Sequence, residues 1–127
     1  MDPFENGMIV ADGFHAVMDK NVANIVDRRV GGKSYRLFYN PMWSRLGDDS
    51  VGSCGTYYYN NSGVSNYFWH TFDQILLRPD LLHNYDHSAL HVITRIADQE
   101  LLTSDRIDER LSDHLPIVLR LDIERGA

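Results

Sequence analysis

Two short stretches of the chain carry residue types suited to proton and phosphate chemistry. The first is Ser112-Asp113-His114-Leu115-Pro116-Ile117, which leads into an apolar run ending at Ile123. Histidine titrates near neutrality, and a carboxylate partner fixes its tautomer and raises its basicity. Pro116 restricts the backbone of the residue before it and so shapes the approach to the strand. Taken by itself, an Asp-His pair at this place serves equally well as the cap of a strand. The second stretch is His70-Thr71-Phe72-Asp73-Gln74-Ile75-Leu76-Leu77. Its residues from Thr71 to Leu77 read as a strand stopped by Pro79, with a carboxylate, Asp73, within it.

Together, and in this order, the two stretches resemble the last two signatures of the endonuclease/exonuclease/phosphatase family. That family includes exonuclease III-like repair nucleases and pancreatic-type deoxyribonucleases. The resemblance implies a phosphoester hydrolase that uses magnesium or manganese in its complete form. It gives His114 contact with the scissile phosphate and a part in activating water. It gives Asp73 the task of hydrogen-bonding and orienting that imidazole, and Asp113 a place at a metal or beside the nucleophile. The chemistry is consistent: a cation neutralises phosphate charge while a base deprotonates water for in-line attack.

Met1-Asp2-Pro3-Phe4 resembles the residues that follow the family's Gly-Asp-Phe-Asn motif, which this sequence lacks. The Asn, the metal-binding Glu and the further His or Tyr of the family's first half are missing with it. The resemblance therefore implies residues 1–127 as one domain, the C-terminal portion of such an enzyme, inactive or nearly so alone. The expected fold is α/β (α+β), a mixed, mainly antiparallel sheet with one or two helices, half of the family's four-layer sandwich. A sandwich without its first half exposes the apolar face of a sheet, so a homodimer or pairing with a separate first half is expected. The alternative is a non-catalytic module derived from that fold, which oligomerises or binds a partner. The implied substrate is a phosphoester, nucleic acid included, and fold alone does not choose among them.

Bulk properties agree with a soluble domain. At 127 residues a fold buries roughly two thirds of its unfolded surface without needing a disulfide or structural metal. No apolar run approaches the roughly 20 residues that span a bilayer, and no secretory signal opens the chain. The single cysteine, Cys54, forms no internal disulfide, which fits a cytoplasmic setting. The net charge of -6 argues against tight nucleic-acid binding by this chain alone. Lysine occurs only at Lys20 and Lys33, the arginines are scattered, and such binding draws on clustered cations.

The elements that must position the candidate residues follow from pattern. Asp2-Pro3-Phe4-Glu5 reads as a capped helix start, with Phe4, Met8 and Ala11 on one face and a stop at Gly13. A second short helix is expected around His15 to Val26, then a turn from Arg28 to Lys33 over Gly31-Gly32. Strands are expected at Tyr35–Tyr39, Thr56–Tyr59, Thr71–Leu77, Ala89–Ile96 and Leu115–Ile123. A loop is expected over Ser44–Gly55, a turn over Asn60–Gly63 and a charged loop over Asp98–Ser112. About five strands in one sheet exceed the minimum for stability.

Other residues have plainer readings. Trp69, with Tyr67 and Phe68, is a candidate wall of a substrate groove, although core packing is the commoner use of aromatics. Asn40, in Asn40-Pro41-Met42-Trp43, is a second groove candidate, for which a structural turn is the simpler role. His83, His87 and His91 are four apart, which on a helix aligns three imidazoles for a metal, but their neighbours read as loop and strand. Asp105 and Asp108 lie near the Asp-His motif in an acidic loop. Cys54, among Gly and Ser, has no base nearby in sequence.

Overall fold

The computed structural model describes residues 1–10, 13–25, 27–50, 52–62, 67–104 and 106–123, with only the backbone of residues 60–62. The fold is mixed α/β, with mainly small antiparallel sheets. In chain order come α1 (Asn6–Ile9), β1 (Ala16–Val17), α2 (Lys20–Ile25), β2 (Asp27–Val30), β3 (Lys33–Arg36) and β4 (Phe38–Tyr39). A 3-10 turn at Pro41–Arg45 leads to β5 (Tyr57–Ser62) and β6 (Tyr67–His70). After a second 3-10 segment at Pro79–Asn84 follow β7 (Tyr85–Val92), β8 (Arg95–Ile96), β9 (Gln99–Glu100), β10 (Leu102–Thr103), β11 (Arg106–Ile107) and β12 (Ile117–Leu121).

The expected five-stranded sheet is not formed among the described residues. Among the described residues the strands join in pairs, β1 with β4 in parallel and the others antiparallel. Single bridges extend two of them: Tyr39 to Leu77, and Tyr57 to His114. β2 and β3 form a hairpin where a turn and the start of a strand were expected, and Gly31-Gly32 is its two-residue loop. Both glycines have positive φ, 58° and 78°, as a primed turn requires. The flanking strands are largely exposed, so no apolar alternation announces them.

Other boundaries shift for similar reasons. α1 spans four residues, and Val10 turns extended at its end; Ala11 lies outside the described residues. α2 begins at Lys20, after the short β1, and Val26 also lies outside. β5 runs on through the expected turn at Asn60, and Gly63 is not described. The aromatic run Tyr67–His70, not Thr71–Leu77, is the paired strand; the Thr71 and Asp73 N–H groups go instead to the side chains of Asp2 and Thr56. The Asp98–Ser112 loop contains the tight ladders β9 to β11. At the end of the chain β12 is shorter than expected, starting two residues beyond Leu115.

Two apolar clusters hold these pieces together. One gathers Ala23, Leu37, Tyr39, Leu77 and Tyr85, with Leu119 and Leu121 from β12 against it. The other gathers Leu101, Ile107 and Leu115, with Tyr58, Trp69 and Val92 around it. The β7–β12 ribbon, in register Ile117 to Val92 and Leu119 to Leu90, contributes to both. Leu115 is fully buried and follows His114 directly. Leu115→Ala should therefore lower unfolding free energy by about 2–5 kcal/mol, the range for emptying such a site. Denaturant melts check this; a loss well below 1 kcal/mol would mean that the site is not packed.

The first cluster carries a polar relay. Arg45 is buried and donates from Nη2 to the Leu90 carbonyl at 2.7 Å, while its Nη1 meets His87 Nε2 at 3.2 Å. His87 Nδ1 meets the Tyr85 hydroxyl at 3.0 Å. Burial pushes the Tyr85 phenol up to about 12, with Tyr39 adding to the shift. Loss of hydration, then the Arg45 and Lys20 cations, hold the His87 imidazole below its ordinary value. A depressed histidine takes up protons more readily when the chain is unfolded. Its contribution is thus complete above about pH 6.5 and is lost as pH falls through that value toward the folded one. Solvent at the exposed edge of His87 keeps the effect small. Urea midpoints should fall between pH 7.5 and 5.5, and His87→Gln should flatten that slope. An unaltered slope would contradict the assignment.

Candidate functional site

The site is assembled where the end of β6, the start of β5 and the approach to β12 meet. His114 and Asp73, which the sequence brings from two separate motifs, are in contact. His114 Nδ1 lies 2.8 Å from Asp73 Oδ2, with the two side chains 39% and 32% exposed. A carboxylate only accepts, so Nδ1 carries the proton and Nε2 is left as an acceptor. The pair is thus half sheltered, with a fixed tautomer and access to solvent.

Thr56 organises the backbone around it. Its N–H donates to the His70 carbonyl at 2.9 Å, and its carbonyl accepts from Leu115 N–H at 2.7 Å. Its hydroxyl accepts from Asp73 N–H at 3.3 Å. One fully buried residue therefore ties together the segments that carry both members of the pair. Gly55, just before it, is needed for that approach: a Cβ there would sit 2.6 Å from the His70 carbonyl oxygen.

A second imidazole–carboxylate pair lies alongside. His70 Nδ1 is 2.7 Å from Asp2 Oδ2, and Asp2 Oδ1 accepts from Thr71 N–H at 2.6 Å. The Asp2 side chain is 4% exposed and that of His70 14%. Reading Asp2 as a helix cap missed this use: the α1 N-cap is Glu5, without a side-chain cap bond. The Asp2 carboxylate is spent across the fold, although its own N–H does meet the Glu5 side chain. No spacing signal marks the contact, since its partners lie 68 residues apart in sequence. Tyr57 separates the two imidazoles, with ring centroids 4.8 Å from His114 and 6.4 Å from His70.

The remaining candidates fall at different distances from this centre. Asn40 is fully buried and uses its amide internally, donating to Gln74 Oε1 at 2.9 Å and accepting from Met42 N–H at 3.0 Å. It braces the Thr71–Gln74 segment and lines no groove, which favours the structural role over substrate contact. Trp69 packs edge-on to Tyr58 at 5.3 Å in the second apolar cluster and also walls a cleft with Phe4 and Tyr67. Asp113 is exposed beside His114.

Among the described residues no three His, Cys, Asp or Glu side chains converge to hold a metal ion. Asp113 offers one exposed carboxylate, and the described residues do not make up a magnesium or manganese cradle. His83, His87 and His91 do not converge either: His83 is in a 3-10 segment and His87 is engaged with Arg45 and Tyr85. Asp108 is bound by Arg110, whose guanidinium holds its carboxyl down to about 2, and Asp105 lies outside the described residues. At Cys54, burial and then Asp48 push the thiol up, away from nucleophilic use. No helix is long and apolar enough to cross a membrane, among the described residues. Comparison with protein-family models, with curated proteins and with solved structures yields no match.

Proposed function

We propose that this chain carries the base-bearing part of a phosphoester hydrolase of the endonuclease/exonuclease/phosphatase type. The observation that carries the reading is the 2.8 Å contact between His114 and Asp73, two residues that the sequence resemblance already pairs. With Nδ1–H held by Asp73, Nε2 of His114 takes a proton from water as the water oxygen attacks phosphorus. The bond from phosphorus to the leaving oxygen then breaks. Asp73 orients the ring and steadies the imidazolium that forms. In this reading the small sheets belong to one half of a four-layer α/β sandwich, and residues 1–127 are one domain. A magnesium or manganese ion of the complete enzyme needs ligands beyond Asp113, so no step above is routed through one.

The substrate class proposed is a phosphoester, without preference among nucleic acid, lipid and small esters. The test is hydrolysis of bis(p-nitrophenyl) phosphate with magnesium or manganese supplied. A slow turnover that depends on His114 and Asp73 is expected. Turnover above the buffer rate that is identical in wild type and His114→Ala would remove the reading.

A second reading, an oligomerising module, is favoured by one observation. Met18 and Ile25 are 65% and 77% exposed, and Met18 borders an apolar groove with Ile9, Val17, Val22 and Trp43. Such a surface favours association. Light scattering should give a mass above the 14.6 kDa of one chain, returning to it in Met18→Lys. A strict monomer at high concentration would exclude this reading.

A further inference from the structure

We infer that the cleft between Phe4 and the aromatic end of β6 binds a small organic ammonium ion that carries at least one N–H. The rings of Phe4, Tyr67 and Trp69 border the cation, the Asp48 carboxylate is its counter-ion and the Thr71 hydroxyl accepts its N–H. The cleft uses neither His114 nor Asp73, so this inference and the hydrolase reading stand or fall separately.

Three segments build the cleft. Phe4 comes from the N-terminal segment, which is anchored where the Asp2 carboxylate accepts from Thr71 N–H. Tyr67 and Trp69 come from β6. Successive side chains of a strand point to opposite faces, so Trp69 turns away from the side that His70 occupies. The third wall is closed by the Gly47 N–H donating to the Cys54 carbonyl at 3.1 Å, with Gly47 in the left-handed region at φ 83°. Asp48 follows directly and is exposed at the rim. The cavity is about 450 Å³, a size that suits a small molecule.

Charge and hydrogen bonding choose the ligand. Among the described residues that line the cleft, Asp48 bears the only charge, since burial and then Asp48 itself keep the Cys54 thiol protonated. No lysine, arginine or histidine among the described residues pairs with Asp48. Aromatic rings attract a cation over their faces, tryptophan most of all. Thr71 is fully buried; its N–H goes to Asp2 and its carbonyl accepts from Gln74, yet its hydroxyl has no partner among the described residues. A buried hydroxyl without a partner is unfavourable, and an N–H of the guest supplies one. An anion would meet the Asp48 charge, and an apolar guest would leave both carboxylate and hydroxyl unanswered.

The test follows the Tyr67 and Trp69 ring signals by NMR in the full chain at pH 7, titrated with three probes of similar shape. Trimethylammonium has the charge and an N–H, tetramethylammonium has the charge without an N–H, and tert-butanol is uncharged. Trimethylammonium should shift both rings along one saturation curve. It should bind about ten-fold more tightly than tetramethylammonium, the value of one hydrogen bond to a charged group. Tert-butanol should bind more weakly than either. Tyr67→Leu and Asp48→Asn, at exposed positions, should each weaken trimethylammonium about two- to five-fold. Thr71→Val should abolish the preference for trimethylammonium over tetramethylammonium without lowering the urea midpoint, because its hydroxyl makes no bond among the described residues. Tert-butanol binding as tightly as trimethylammonium, affinity unaltered in Tyr67→Leu and Asp48→Asn, or no saturable shift with any probe overturns the inference. Each of these results leaves the hydrolase reading standing, because that reading is tested at His114.

Discussion

Replacing His114 with alanine should reduce phosphodiester turnover by about 10²- to 10⁴-fold, the range associated with losing a positioned general base. For a chain whose turnover is slow, that means a fall to the buffer rate. Asp73→Asn is the more informative partner substitution. An asparagine fills the same space, but can turn its amide N–H toward His114 Nδ1, favouring the tautomer with the proton on Nε2. The base would then point its proton at the water. The fold should survive, because the Thr56 hydroxyl accepts from the backbone N–H of residue 73 and not from its side chain. Turnover should nevertheless fall nearly as far as in His114→Ala, and the double substitution should cost little more than either one, since residues acting as a unit are not additive. Additive losses would show that Asp73 and His114 act separately.

Asp2→Ala should give a large loss of stability, about 2–6 kcal/mol, because two buried donors each lose an acceptor at about 1–3 kcal/mol. Two groups would lose their acceptor at once: the His70 ring and the fully buried Thr71 N–H. A small domain has only about 5–15 kcal/mol in total, so such a loss consumes much of it. Asp2→Asn should cost distinctly less, because its remaining oxygen can still accept from Thr71. Urea unfolding followed by tryptophan fluorescence measures both. A loss below 1 kcal/mol in Asp2→Ala would mean that the N-terminal segment frays from the fold and that its carboxylate is not engaged.

The sequence foretold contacts where chemistry constrains residue type, and missed them where only tertiary geometry decides. Asp73 and His114 were legible because their neighbours form two motifs in a set order. Gly31-Gly32 was legible as a turn, since positive φ demands glycine there. The hairpin around it was not, because β2 and β3 face solvent and carry no period-two apolar pattern. Local signals also misled: Asp2, Pro3 and Glu5 have the spacing of a capping box, yet the Asp2 carboxylate turns to β6. Local capping and a long-range bond compete for the same oxygen atoms, and a buried N–H without an acceptor is the costlier loss. Tyr57 and His70 were hidden for a related reason. Their positions are set by cross-strand register, which no single segment encodes.

The claim beneath the whole account is that Asp73 sets the state of the His114 ring. The direct measurement is a long-range proton–nitrogen-15 correlation of the His114 side chain at pH 8, in wild type and Asp73→Asn. The account predicts a proton on Nδ1 and a bare Nε2 in wild type, with that preference lost in the variant. A wild-type ring protonated on Nε2, or a tautomer unchanged by the substitution, would contradict it.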